Sequence, residues 1–161
     1  MNEKMKLTRG ERNNNPLNIK YGKSKWVGKV TENKQDAEFE EFDSLLNGLR
    51  AAIKLVQNYI KSGRTTVDEI VRRWCPDDTQ DAYVDYVLDV MQLNHPGFGK
   101  YTQLRWHDYD RLFTLISAMA WMESRMRVDS KLFLEAWQSL DTHNQSNREK
   151  RVKGADPLTR K

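Results

Sequence analysis

Asp108-Tyr109-Asp110-Arg111-Leu112-Phe113-Thr114-Leu115-Ile116-Ser117-Ala118-Met119-Ala120-Trp121-Met122-Glu123-Ser124 is the stretch on which the fold turns. Leu112, Leu115, Ile116, Met119 and Ala120 recur at intervals of three and four residues, which places them on one helical stripe. That stripe leaves little polar surface on its inner face. It predicts a long helix from about Asp108 to Glu123, the most buried in the domain. Downstream, Asp129 or Ser130 caps a final helix carrying Leu132, Phe133, Ala136, Trp137 and Leu140. Upstream, Asn94-His95-Pro96-Gly97-Phe98-Gly99 reads as a loop. Before it, Tyr83, Tyr86, Val87, Val90 and Met91 form another stripe, capped by Asp78 or Thr79.

The same pattern continues toward the N-terminus. Ser44 opens a helix with Leu45, Leu49, Ala52, Ile53, Val56 and Ile60 on one stripe, and Gly63 ends it. Thr66-Val67-Asp68-Glu69 is a capping box opening a helix with Val67, Ile70, Val71 and Trp74, which Pro76 stops. Ahead of these helices the periodicity changes. Lys25 to Thr31 alternates apolar and polar residues as a short strand or hairpin arm does, and Glu38 to Phe42 is its partner. The expected class is therefore α+β, mostly helical, with a small antiparallel sheet.

The chain has 161 residues, with 31% charged and 38% hydrophobic. This suits one soluble domain over residues 1–140. From Asp141 apolar residues nearly vanish, so 141–161 reads as a disordered basic tail. The tail supplies much of the net charge of +4. No apolar run approaches the ~20 residues of a membrane span, and the start of the chain has no apolar segment of a secretory signal. Cys75 is the single cysteine, so neither an internal disulfide nor a cysteine zinc site is expected. His95, His107 and His143 are scattered, no phosphate-cradling glycine loop is present, and no metal or cofactor is expected.

Arg9-Gly10-Glu11-Arg12-Asn13-Asn14-Asn15-Pro16-Leu17-Asn18-Ile19-Lys20-Tyr21-Gly22 is the densest polar motif. Asparagine favours turns because its side chain bonds nearby backbone. The residues alone leave two readings: a capped turn, or a rigid loop that presents amides to a hydroxyl- and amide-rich ligand. Together with Trp26-x-Gly28, Phe39-x-x-Phe42 and Gly48-x-Arg50-Ala51, this motif resembles a family of phage and prophage virion-associated lytic transglycosylases. The likeness runs from about Arg9 to Tyr83. Farther on it thins to Ala118-Met119-Ala120-x-x-Glu123-Ser124, which is similar to the glutamate-serine helix end of lysozyme-like transglycosylases.

The resemblance implies a lysozyme-like domain with the order of its elements permuted, the late glutamate helix packing against the early sheet. It implies cleavage of peptidoglycan glycan strands without a cofactor. Made in the host cytoplasm, the protein would be virion-associated or released to the cell wall, with virion components as partners. A lyase of this kind needs one acid/base, because the substrate's own C6 hydroxyl is the nucleophile. Glu123 and Glu11 are the candidates. Beside Trp121 and Met122, Glu123 would be partly desolvated, and a desolvated carboxyl holds its proton more readily. As an ordinary solvated residue it would pair with Arg125 or Arg127. Glu11 is the rival, but Arg9 and Arg12 flank it and would keep it ionised.

Asn13, Asn14, Asn15 and Asn18 are candidate substrate-binding residues, with Tyr21, Trp26 and Tyr83 lining a groove. Phe42 and Trp74 go to the core. The run Asp36, Glu38, Glu40, Glu41 reads as a solvated strand edge. The alternative function is a non-enzymatic phage structural or nucleic-acid-binding protein. Its support is the basic tail and the interleaved Arg72-Arg73-Trp74 and Arg105-Trp106. A wall-binding module without activity is a third reading.

Overall fold

A computed structural model of the chain describes residues 6–75 and 80–140. Among these described residues there are six helices: α1 (Arg9–Arg12), α2 (Leu45–Lys61), α3 (Val67–Trp74), α4 (Gln80–Asn94), α5 (Tyr109–Ser124) and α6 (130–140). The tail 141–161, the stop at Pro76 and the cap assigned to Asp78 or Thr79 lie outside the described residues.

The helices begin where short polar side chains can satisfy their first free N–H groups. Ser44 Oγ accepts from the Asn47 N–H at 3.2 Å. Thr66 and Glu69 form the capping box at the head of α3. Asp129 accepts from the Leu132 N–H at 2.9 Å where α6 begins. Arg125 closes α5 in the left-handed conformation, with φ 53°.

α5 is the hub of the core. It packs against α1, α2 and α4, and α3 joins α2 to α4. The Phe113 and Phe133 rings meet edge-on at 5.0 Å, and Tyr109 meets Trp137 at 5.3 Å, which ties α6 to α5. α5 is nevertheless not the most buried helix. It buries seven of its 16 residues, whereas α2 buries nine of 17. The difference arises because Phe113, Thr114, Ser117 and Trp121 face a groove and stay partly open.

The expected antiparallel sheet is not formed, and the α+β, lysozyme-like class is corrected: no strand exists among the described residues. The segment around residues 38–42 is extended, but each flank gives it a single antiparallel bridge, Lys20 to Phe39 and Lys29 to Phe42. Side chains take the places where ladder rungs would continue. The Asp36 carboxylate accepts from the Glu38 and Phe39 N–H groups at 2.9 and 3.1 Å. The Lys34 ammonium binds the Phe39 carbonyl. Asn33, at φ 57°, turns the chain before the segment begins.

The N-terminal segment folds onto the helices by close approach. A β-carbon on Gly10 would lie 1.8 Å from Ser124 Oγ, and one on Gly48 would lie 1.8 Å from the Asn14 carbonyl oxygen. Glycine at these two points lets α1 rest on the end of α5 and lets the asparagine loop rest on α2.

Candidate functional site

The C-terminal end of α5 brings together residues from four parts of the chain. Glu123, half-buried, accepts on Oε2 from the Trp74 indole N–H at 2.9 Å and from the Tyr83 hydroxyl at 3.0 Å. Its backbone carbonyl accepts from Asn18 Nδ2 at 2.9 Å. Next to it, the buried Ser124 hydroxyl donates to the Pro16 carbonyl at 2.8 Å. The Thr8 hydroxyl donates to the Ser124 carbonyl at 2.7 Å. These bonds satisfy carbonyls at a helix end, where the intrahelical ladder has no donors left. Tyr83 is almost fully buried. Burial, and then the Glu123 carboxylate beside it, push its phenol well above the usual tyrosine range. It therefore stays protonated and remains a donor to Glu123.

Of the residues expected at a site, the structure gathers Glu123, Asn18 and Tyr83. Glu11 instead closes a capping box, accepting from the Thr8 N–H at 2.8 Å. Arg9 turns away from it to pair with Asp36 at 2.7 Å and Glu38 at 3.3 Å. The amides of three asparagines bind the loop to the segment 36–42, and Asn15 also binds Ile19 within the loop. Asn13 Nδ2 donates to Asp36 at 2.9 Å and Asn14 Nδ2 to the Phe42 carbonyl at 3.1 Å. Asn15, fully buried, donates to the Ile19 and Glu40 carbonyls and accepts from the Ile19 N–H. Tyr21 is exposed, its ring between the Lys29 and Lys34 ammonium groups at 4.5 and 4.6 Å. Trp26 packs half-buried against the core.

Two features escaped the sequence reading. Trp74 does pack against the core, but it also carries a polar atom to Glu123. A half-buried tryptophan needs an acceptor for its indole N–H, which was the available signal. Glu40 is fully buried rather than on a solvated edge, and it pairs with Lys29 at 3.2 Å. In the same acidic run Asp36 is largely enclosed. The Arg9 hydrogen bond, assisted by the Asn13 amide and two backbone N–H groups, holds its carboxyl well below the usual carboxylate range.

Among the described residues, two grooves lie near this arrangement, and Glu123 lines neither of these two. One, of about 580 Å³, lies beside α1 and is lined by Arg9, Arg12, Asn13, Gln35 and Asp36 among others. The second, of about 430 Å³, runs between α4 and α5. Among the described residues no cluster of histidine, cysteine, aspartate and glutamate could hold a metal ion.

Over 122 residues the chain is 35% identical to protein P5 of Pseudoalteromonas phage PM2, an alignment covering 72% of this chain and 71% of that protein. The chain belongs to the protein P5 family. No protein-family model matches it. In this P5-family chain, no helix among the described residues is long and apolar enough to cross a membrane.

Proposed function

We propose that this P5-family protein cleaves the glycan strands of peptidoglycan as a lytic transglycosylase, with Glu123 as acid and base. The observation that carries the reading is the half-buried Glu123 carboxylate, oriented through Oε2 by two neutral donors at the end of a core helix. The resemblance of Arg9–Ile19 and Ala118–Ser124 to virion-associated transglycosylases supports it. Protonated Glu123 gives its proton to the glycosidic oxygen as that bond breaks. The carboxylate then takes the proton of the C6 hydroxyl as that oxygen closes on the anomeric carbon. Trp74 and Tyr83 fix the rotamer of the carboxyl, so little reorganisation is left to the reaction itself. Asn18 holds the backbone beneath it, while Asn13, Asn14 and Asn15 keep the loop that presents Asn18. Carriage to the wall with virion components belongs to the same proposal.

Purified protein incubated with sacculi, its products weighed by mass spectrometry, tests this. Anhydro-muramyl ends are the expected result, and Glu123→Gln lowers their rate at least ~100-fold, the usual scale for a general acid. Glu11→Gln leaves the rate nearly unchanged, because that carboxylate serves a helix cap. Reducing ends would make the enzyme a hydrolase. A wild type that yields no products would leave the non-enzymatic phage reading, structural or nucleic-acid-binding, in its place.

A further inference from the structure

The outward side of α2 carries a second, polar stripe. Asn47, Arg50, Lys54, Asn58 and Lys61 recur every three or four residues, on the side turned away from the buried Leu49, Ala52, Val56 and Ile60. None of the five is buried. No aspartate or glutamate occurs from Ser44 to Val67, and none from Val90 to His107. The fold brings these two acid-free stretches together. The Leu104 N–H donates to the Thr65 carbonyl at 2.7 Å, and Gln57 Nε2 donates to the Trp106 carbonyl at 3.0 Å. The Lys61 ammonium lies 4.3 Å from the Trp106 ring centroid. Arg105, exposed, stands between the two anchored residues.

Among the described residues none of Arg50, Lys54, Lys61 and Arg105 has an ion pair. The acids that follow the two stretches are engaged elsewhere. Asp68 pairs with Arg72 at 2.8 Å, Glu69 caps α3 and Asp108 caps α5. Packing strips some water from Lys61 and the Lys54 charge repels it, and both push its ammonium below the usual lysine range. A face of one sign without counter-charges attracts an anion from solution.

We propose that this face of α2, with the Arg105–Trp106 corner beside it, is a docking surface for the phosphate backbone of nucleic acid. Lys54 and Lys61 are seven residues apart, about 10 Å along the helix, which is roughly the rise of three nucleotides on a duplex strand. A membrane surface is the poorer fit. A helix that lies on lipid presents large apolar side chains beside its cations, and α2 exposes none. The sequence that follows α6 adds charge of the same sign. Residues 141–161 carry six lysines and arginines against three aspartates and glutamates, and they start next to Ser139–Leu140, where the Ser139 hydroxyl meets Arg50. The family is a phage one, and a phage particle is built around nucleic acid. Trp106 precedes α5 and Glu123 lies at its far end, roughly 20 Å along the helix. The proposal therefore does not rest on the glycan reading.

Fluorescence anisotropy of the full chain with a labelled mixed-sequence DNA duplex, titrated at several salt concentrations, tests this. Binding is expected to be independent of sequence and to weaken steeply with salt. Lys54→Gln, Lys61→Gln and Arg105→Gln together should weaken it at least ~10-fold at low salt. They should also flatten the slope of log affinity against log salt by about two to three, since each lost phosphate contact removes about one. Lys54→Arg with Lys61→Arg keeps the charges and should keep the affinity. Lys23→Gln, Lys25→Gln and Lys131→Gln remove the same charge from other exposed positions and should change affinity less than about twofold. A duplex that does not bind overturns the proposal, as does an equal loss in the two triple variants. So does an affinity that responds only when Arg148, Lys150, Arg151 and Lys153 are neutralised. Binding to phosphatidylglycerol vesicles that the α2 triple variant abolishes, with none to the duplex, overturns it in favour of lipid.

Discussion

At the scale of single residues, the Lys29–Glu40 pair is a sensitive point away from Glu123, because it holds a fully buried carboxylate. The Glu40 side chain is wholly buried and that of Lys29 is 11% exposed. The Lys29 ammonium also reaches the Gly22 and Ser24 carbonyls. Lys29→Met strands a buried carboxylate, and breaking such a pair costs about 3–5 kcal/mol. Converting Glu40 to Met as well should recover part of that loss, read from urea midpoints. Asp36 gives a pH signature. Its folded-state pKa is depressed, so its stabilising contribution is complete above the ordinary aspartate value of about 3.9 and is lost as pH falls through the folded value. Asp36→Asn should lower stability at neutral pH and flatten the acid limb of the stability curve. None of this was legible in the run Asp36 to Glu41, because a one-dimensional string of acids does not say which one a distant lysine will cover.

The elements were legible in proportion to their local signals. Stripes and caps located α2, α3, α5 and α6 in the sequence, since burial on one face repeats every three or four residues. α1 was missed because its four residues are too few to show a period. The strands were over-read. Alternation in Lys25–Thr31 is real, but strand pairing depends on neighbours far along the chain, and side chains of Asn15, Lys34 and Asp36 claimed the backbone groups first. Caps offer a direct comparison. Thr66 serves α3 alone, so Thr66→Ala should cost about 1 kcal/mol. Thr8 caps α1 and also donates to the Ser124 carbonyl. Thr8→Ala should therefore cost about twice as much, and two-state denaturation of both variants checks the difference.

For the whole molecule, the hub position of α5 predicts one cooperative transition, with far-ultraviolet circular dichroism and tryptophan fluorescence melting together. Leu115 is fully buried on that helix. Leu115→Ala should cost roughly 3 kcal/mol, a fall in Tm of about 6–12 °C. The helical core could be read from the sequence because its residues mark their own periodicity. The meeting of Asn18 with Glu123 was reached only through the resemblance, since no local pattern connects positions 105 residues apart. That separation has a consequence for how the protein is made. Thr8 and Ser124 lie 116 positions apart, and a ribosome adding about 5–20 residues per second needs roughly 6–23 s to travel between them. For that interval the loop of Asn13 to Ile19 exists without the helix end on which it rests. A nascent chain released before Ser124 holds no assembled carboxylate site, so the chemistry proposed for Glu123 is withheld until Ser124 has been added and α5 can close on the early loop.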